Sequence, residues 1–255
     1  MTDHPIIFSA SMILALLREA EKPGTGKTMT RRIAWRSETD RQKMSFVCDG
    51  ERPNPLARKA KGFTPMAGDY WLRPTPWVSV KPGDRLWVRE NFWAFGRWRR
   101  GRKAVKSFYK FEQLHRDTIY AADAATERLV VKGKFGQANP PAWYLRPNIF
   151  LPKAESRLTL VVTGTKIERL QQITEEDARA EGVQHRWLKS AACAPRSLYF
   201  IDAGDREHSG PFAVSAFEML WVDLHGATAW DENPEVVALS FSVHAGNIEN
   251  IREAA

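Results

Sequence analysis

The 255 residues carry 38 Lys and Arg against 30 Asp and Glu, a net charge of +8, and 43% of them are hydrophobic, ten being Trp. That composition excludes a disordered chain and allows one sizeable core. No apolar run approaches the ~20 residues of a membrane span. The longest, MILALL over 12–17, lacks the basic start of a secretory signal, so the expectation is a soluble, cytoplasmic protein with no membrane partner.

In chain order, Ile6 to Phe8 is a short apolar run fit for a first strand, and Ser9 or Ser11 caps a predicted helix over Met12–Ala20 that Pro23-Gly24 stops. Residues 37–76 are polar, rich in Pro and Gly and without period; they read as a long insertion. A Pro82-Gly83-Asp84 turn then feeds an alternating strand in which Leu86, Val88 and Glu90 share a face. A second irregular insertion covers about 94–150. Order resumes with the strand RLTLVVT from Arg157. Thr174 is placed to cap a helix with Asp177 at the capping-box position and Gly182 at its end. The clearest amphipathic helix lies between Pro211 and Gly226, and Val236 to Val243 reads as a closing strand. Few helices, short strands and long insertions suggest a single α+β domain around a small barrel.

Charge is divided unevenly. Residues 1–150 hold 28 Lys and Arg and 14 Asp and Glu (net +14), residues 151–255 hold 10 and 16 (net −6), and the two sum to +8. The densest block, RWRRGRKAVKSFYK over 97–110, has seven cations, no acid and three aromatics. Arg97, Arg99, Arg100, Arg102, Lys103 and Lys106 are therefore candidates for nucleic-acid contact, with RNA favoured over DNA; the bland alternative is a solvated loop. Cys48 and Cys193 match no metal or redox spacing, and the His residues form no HxH or HExxH pattern. A site from Cys193, His185 and His208 weighs less than ordinary surface residues. No metal and no cofactor are expected.

The stretch GTGKTMTRR over 24–32 looks like a phosphate-binding loop, but the position needing the first glycine is Glu21, which would repel phosphate. What remains is Lys27 with Thr30 three further on, followed by Arg31 and Arg32, after a short helix. This resembles the signature of the ASCH domain, a member of the PUA-like superfamily of small β-barrels. The order of further stretches (PGD, VRENF, IFLPKAESRLTL, ITEEDARAEG, FEMLW, WDENP) is similar to ASCH-like proteins of phages and prophages. One departure stands out: the family glycine two before the lysine is Thr25 here, with glycines at 24 and 26.

The resemblance implies a PUA-like barrel with flanking helices. At the site it implies an amidohydrolase that removes an acyl group from N4-acetylcytidine, with Lys27, Thr30 and Glu181 as its catalytic residues. The chemistry is compatible. A threonine hydroxyl needs a base to become nucleophilic, and a lysine serves once desolvation or neighbouring cations such as Arg31 and Arg32 lower its pKa. Glu181, at the negative end of its helix, is expected to have a raised pKa suited to acid–base work. Arg31, Arg32, Glu90 and Trp35 are candidate substrate-binding residues, the last as a base-stacking ring. Two alternatives remain open: a non-catalytic module binding RNA or a modified base, and a metal-independent nuclease of the same fold.

Overall fold

The computed structural model describes residues 1–37, 58–61, 69–103, 106–123, 141–188, 196–202 and 206–251. Strand β1 (Asp3–Ile7) leads into helix α1 (Ala10–Glu21), followed by β2 (Met29–Ile33), β3 (Trp35–Ser37), β4 (Arg58–Lys61) and β5 (Asp69–Pro74). Next come β6 (Arg85–Arg89), β7 (Phe92–Lys103), β8 (Lys106–Tyr120), β9 (Ala142–Arg146) and β10 (Leu158–Arg169). The chain closes with α2 (Glu175–Ala180), β11 (Gln184–Leu188), β12 (Arg196–Asp202), β13 (Glu207–Gly210), α3 (Ala213–His225) and β14 (Glu235–Ala245). The architecture is α+β. No helix is long and apolar enough to cross a membrane.

The central sheet has five strands in the order β1-β6-β10-β14-β2. β1 runs parallel to β6, and the other pairings are antiparallel. Among the described strands the sheet is open, with β1 and β2 at its edges, so they form no closed barrel. The edges meet through a side chain instead of a ladder, as Arg32 Nη2 donates to the Ile7 carbonyl at 2.7 Å. Helix α1 joins the two edges in sequence, and its face of Met12, Ile13, Ala15 and Leu16 is buried. Leu86, Leu160, Val162 and Leu239 from the sheet and Phe217, Leu220 and Trp221 from α3 belong to the same core cluster. Burial of such side chains, each stabilising by about 1.5–3 kcal/mol, holds helices to sheet.

Local signals behave as their chemistry requires. Thr174 Oγ1 accepts from Asp177 N at 3.1 Å and Asp177 Oδ2 accepts from Thr174 N at 3.3 Å, the reciprocal box expected at the start of α2. Gly182 follows with φ +105°, a region other residues avoid. The first helix starts at Ala10, two residues before the expected start, with Ser9 at its cap position; the Ser9 hydroxyl bonds Ser11 instead of the backbone.

Where it is described, the second insertion is regular. β7 and β8 form a long antiparallel hairpin with β9 on its other edge, a sheet ordered β8-β7-β9. Its basic strands carry charge on positions where a half-buried strand alternates with apolar residues, so no period of two was visible. In the first insertion, β3, β5 and β4 make a second small sheet, and β11, β12 and β13 a third.

Candidate active site

The site lies where the two open edges of the central sheet approach α2 and α3. The loop after α1 is pressed against that helix. Glu19, buried on α1, accepts from Gly24 N at 2.9 Å and Gly26 N at 2.8 Å, while Lys27 N donates to Ala15 O at 3.2 Å. A Cβ on Gly26 would overlap the Ala15 carbonyl oxygen and lie 2.6 Å from Glu19 N. Only glycine fits at position 26 without displacing α1, and this close approach lets Lys27 enter the interior.

Lys27 is 2% exposed and Glu181 3%. Lys27 Nζ donates to Glu181 Oε2 at 2.6 Å and to the Glu181 carbonyl at 2.7 Å, across 154 positions of sequence. The backbone supports this meeting, since Thr28 N donates to Ala180 O at 2.8 Å. Burial pulls the Lys27 ammonium below the ordinary lysine pKa; Glu181 opposes that pull, and the charges of Arg32 and Arg31 add to it. Lys27 is therefore no surface cation.

Arg31, buried on β2, is ringed by acids. Its Nη2 reaches Glu168 Oε1 and Asp177 Oδ2, both at 2.8 Å, and its Nη1 reaches Glu181 Oε1 at 3.4 Å. The Glu181 carboxylate thus has one oxygen on Lys27 and the other toward Arg31, which fixes its plane. Neither Glu168 nor the second task of Asp177 was read from the sequence. Both depend on a strand, a cap and a loop meeting in space.

A cavity of about 420 Å³ opens over these groups, within the ~300–1,000 Å³ common for small-molecule sites. Lys27, Thr30, Arg31, Arg32 and Glu181 all line it. Thr30, 4% exposed, comes from edge strand β2, where it pairs with Leu239. Across from them α3 contributes Trp221 and His225, whose rings lie 4.2 Å apart. The sequence marked α3 only as amphipathic; nothing in it distinguishes a cavity wall from core. Burial, and then the charge of Arg32, hold the His225 pKa below the usual histidine value.

Other candidates lie elsewhere. Glu90 is buried at the end of β6, but both its oxygens are taken by Arg157, at 2.8 and 2.9 Å, and it does not line the cavity. Trp35 is partly buried and packs against the core cluster, also outside the lining. On the hairpin, Arg97 and Arg99 share Glu112, at 2.7 and 2.5 Å. Arg100, Arg102 and Lys103 lie on β7 and Lys106 on β8, with Arg102 opposite Ser107 and Lys103 opposite Lys106. His185 bonds Ser197 at 2.7 Å and His208 lies 3.5 Å from Asp223, whereas Cys193 falls outside the described residues. Among the described residues no group of three or more His, Cys, Asp and Glu is placed to hold a metal.

No protein-family model, curated protein or solved structure matches the chain.

Proposed function

We propose that this protein is an ASCH-like, PUA-related amidohydrolase that removes the acyl group from an N4-acylated cytosine, acting on RNA or a modified nucleoside. A cytoplasmic setting and a phage or prophage source belong to the same reading. One observation carries it: Lys27, Thr30 and Glu181 line a single cavity, with Lys27 Nζ 2.6 Å from Glu181 Oε2.

The buried pair suits base catalysis. Moving one proton from Lys27 to Glu181 across that short contact turns an ion pair into a neutral amine and a neutral acid without changing net charge, and burial favours the neutral form. The amine of Lys27 then takes the Thr30 hydroxyl proton as Thr30 Oγ1 attacks the acyl carbonyl carbon. The C–N4 bond breaks, Lys27 returns the proton to N4, and the free cytosine amine leaves. Glu181, again a carboxylate after giving its proton back, takes a proton from a water that attacks the Thr30 ester. As the acyl C–Oγ1 bond breaks, Glu181 passes that proton to Thr30 Oγ1, releasing the carboxylic acid and restoring both the hydroxyl and the carboxylate. Arg31, held by three acids, keeps Glu181 in register. The direct assay is acetate release from N4-acetylcytidine, free and within RNA. Release from neither by the pure protein would reject the reading.

The basic hairpin fits a polymeric substrate. If β7 and β8 track an RNA backbone, replacing Arg100, Arg102 and Lys103 by Gln weakens binding to all sequences alike. It also flattens the salt dependence by about one unit of slope per lost phosphate contact. An unchanged slope would return the hairpin to a solvated structural role and leave the free nucleoside as substrate.

A further inference from the structure

Three Lys and Arg side chains line the cavity, and two of them are matched by carboxylates. Lys27 is held by Glu181, and Arg31 by Glu168, Asp177 and Glu181. Arg32 is the exception. Among the described residues no carboxylate lies within ion-pair distance of it. Its Nη2 meets only the Ile7 carbonyl, and its Nε is buried without a hydrogen-bond partner. Its guanidinium carbon sits 5.1 Å from the Phe8 ring and 5.6 Å from the Trp77 ring, so aromatic faces and one carbonyl hold it in place. Burial pushes its pKa down to about 10, against a weaker pull upward from the Glu181 charge beyond ion-pair distance, which leaves it charged at neutral pH. His225, the other ionisable side chain lining this cavity besides Lys27, Arg31, Arg32 and Glu181, is kept neutral and supplies no counter-charge.

Arg32 is partly exposed, so its guanidinium remains reachable from the cavity, and a partly desolvated charge with no carboxylate within ion-pair distance gains little stability to offset its desolvation. Keeping one at a cavity wall is understandable when a ligand brings the missing anion. Arginine's planar fork matches a phosphate in a way a lysine's point charge does not. Neighbouring Arg31 cannot do this, since its own acids occupy it.

We propose that Arg32 is the phosphate subsite of the cavity, binding a phosphate ester of the same ligand whose base lies against Lys27 and Thr30. The phosphate comes either from a mononucleotide or from an internal link of an RNA chain. The base half of this assignment rests on the amidohydrolase reading, whereas the phosphate half rests on Arg32 alone.

The test is calorimetric titration of the full chain with cytidine, cytidine 5′-monophosphate, a tetracytidylate and inorganic phosphate, for wild type, Arg32→Lys and Arg32→Met. Wild type should bind at least one phosphorylated ligand about tenfold or more tightly than cytidine. The advantage should shrink in Arg32→Lys and vanish in Arg32→Met. Arg32→Met loses the bond to the Ile7 carbonyl but keeps an apolar side chain against Phe8 and Trp77, so it should remain folded, as its thermal unfolding checks. Tight binding of the monophosphate assigns a terminal phosphate; a gain confined to the oligonucleotide assigns an internal one. Equal binding of cytidine and every phosphorylated ligand would overturn the subsite, as would a phosphate advantage that survives in folded Arg32→Met. Absence of acetate release alongside Arg32-dependent binding of inorganic phosphate would remove the hydrolase and leave the subsite standing.

Discussion

Two buried carboxylates, Glu90 and Glu181, stand in nearly the same circumstances by sequence reasoning, each at the end of a regular element beside basic residues. Their surroundings differ. Glu90 meets Arg157 through a two-bond fork, the guanidinium also holds Asp123 at 2.8 Å, and it lies 4.0 Å from the Tyr120 ring centroid. That pair is closed on itself. Glu181 instead meets a lysine, whose proton can leave, and both residues line a cavity that Thr30 also lines. Burial of an ion pair therefore says little about its role. The partner's ability to give up a proton, and an open space beside the pair, separate a brace from a site.

The comparison breaks if the two pairs respond alike. Arg157→Met leaves Glu90 buried without its partner and should cost about 3 kcal/mol of stability, the low end for a buried pair because Arg157 is partly exposed. Turnover per folded molecule should stay within about twofold; urea unfolding and steady-state kinetics on the same preparations check both. Gly26→Ala acts at the other pair by displacing the loop. The contact with Ala15 and Glu19 should cost about 1–3 kcal/mol, and turnover should fall along with stability because Lys27 shifts.

The pH dependence sharpens the contrast in sign. Lys27 is lowered from the ordinary lysine value of 10.5, so between its native pKa and 10.5 the unfolded chain binds more protons. Stability from this group therefore rises with pH through that window, and turnover rises as the free amine appears. Glu90 is raised from 4.5, burial outweighing Arg157, so the native chain binds more protons there. Stability from that pair falls as pH climbs from 4.5 through its native value. Urea midpoints against pH for wild type and Lys27→Met test this: the alkaline rise should disappear in the variant.

Local chemistry was legible in the sequence. The capping box of Thr174 and Asp177 and the glycine stops at 182 and 226 depend on neighbours a few residues away, and they stand where expected. Lys27, Thr30 and Glu181 were named from the order of motifs, and no property of each residue alone distinguished them. Glu168, Trp221 and His225 were invisible because their roles arise from chain segments over a hundred residues from Lys27. The hairpin was missed for an opposite reason, its charges masking the strand period, and an open sheet cannot be told from a barrel by counting strands. The absence of an ion-pair carboxylate at Arg32 among the described residues, beside an Arg31 whose charge three acids match, is likewise a property of the folded chain.

The proposed mechanism makes Thr30 the nucleophile in a cavity whose base is Lys27. It is tested most directly by comparing wild type and Thr30→Ala for acetate release from N4-acetylcytidine and for equilibrium binding of the same compound. The substitution removes one hydroxyl and no charge, so affinity should change by no more than about tenfold. Turnover should fall by a factor on the order of 10⁴ or more, because the attacking atom is gone. Acetate release by Thr30→Ala at near the wild-type rate, or none from wild type that binds the compound tightly, would contradict the claim.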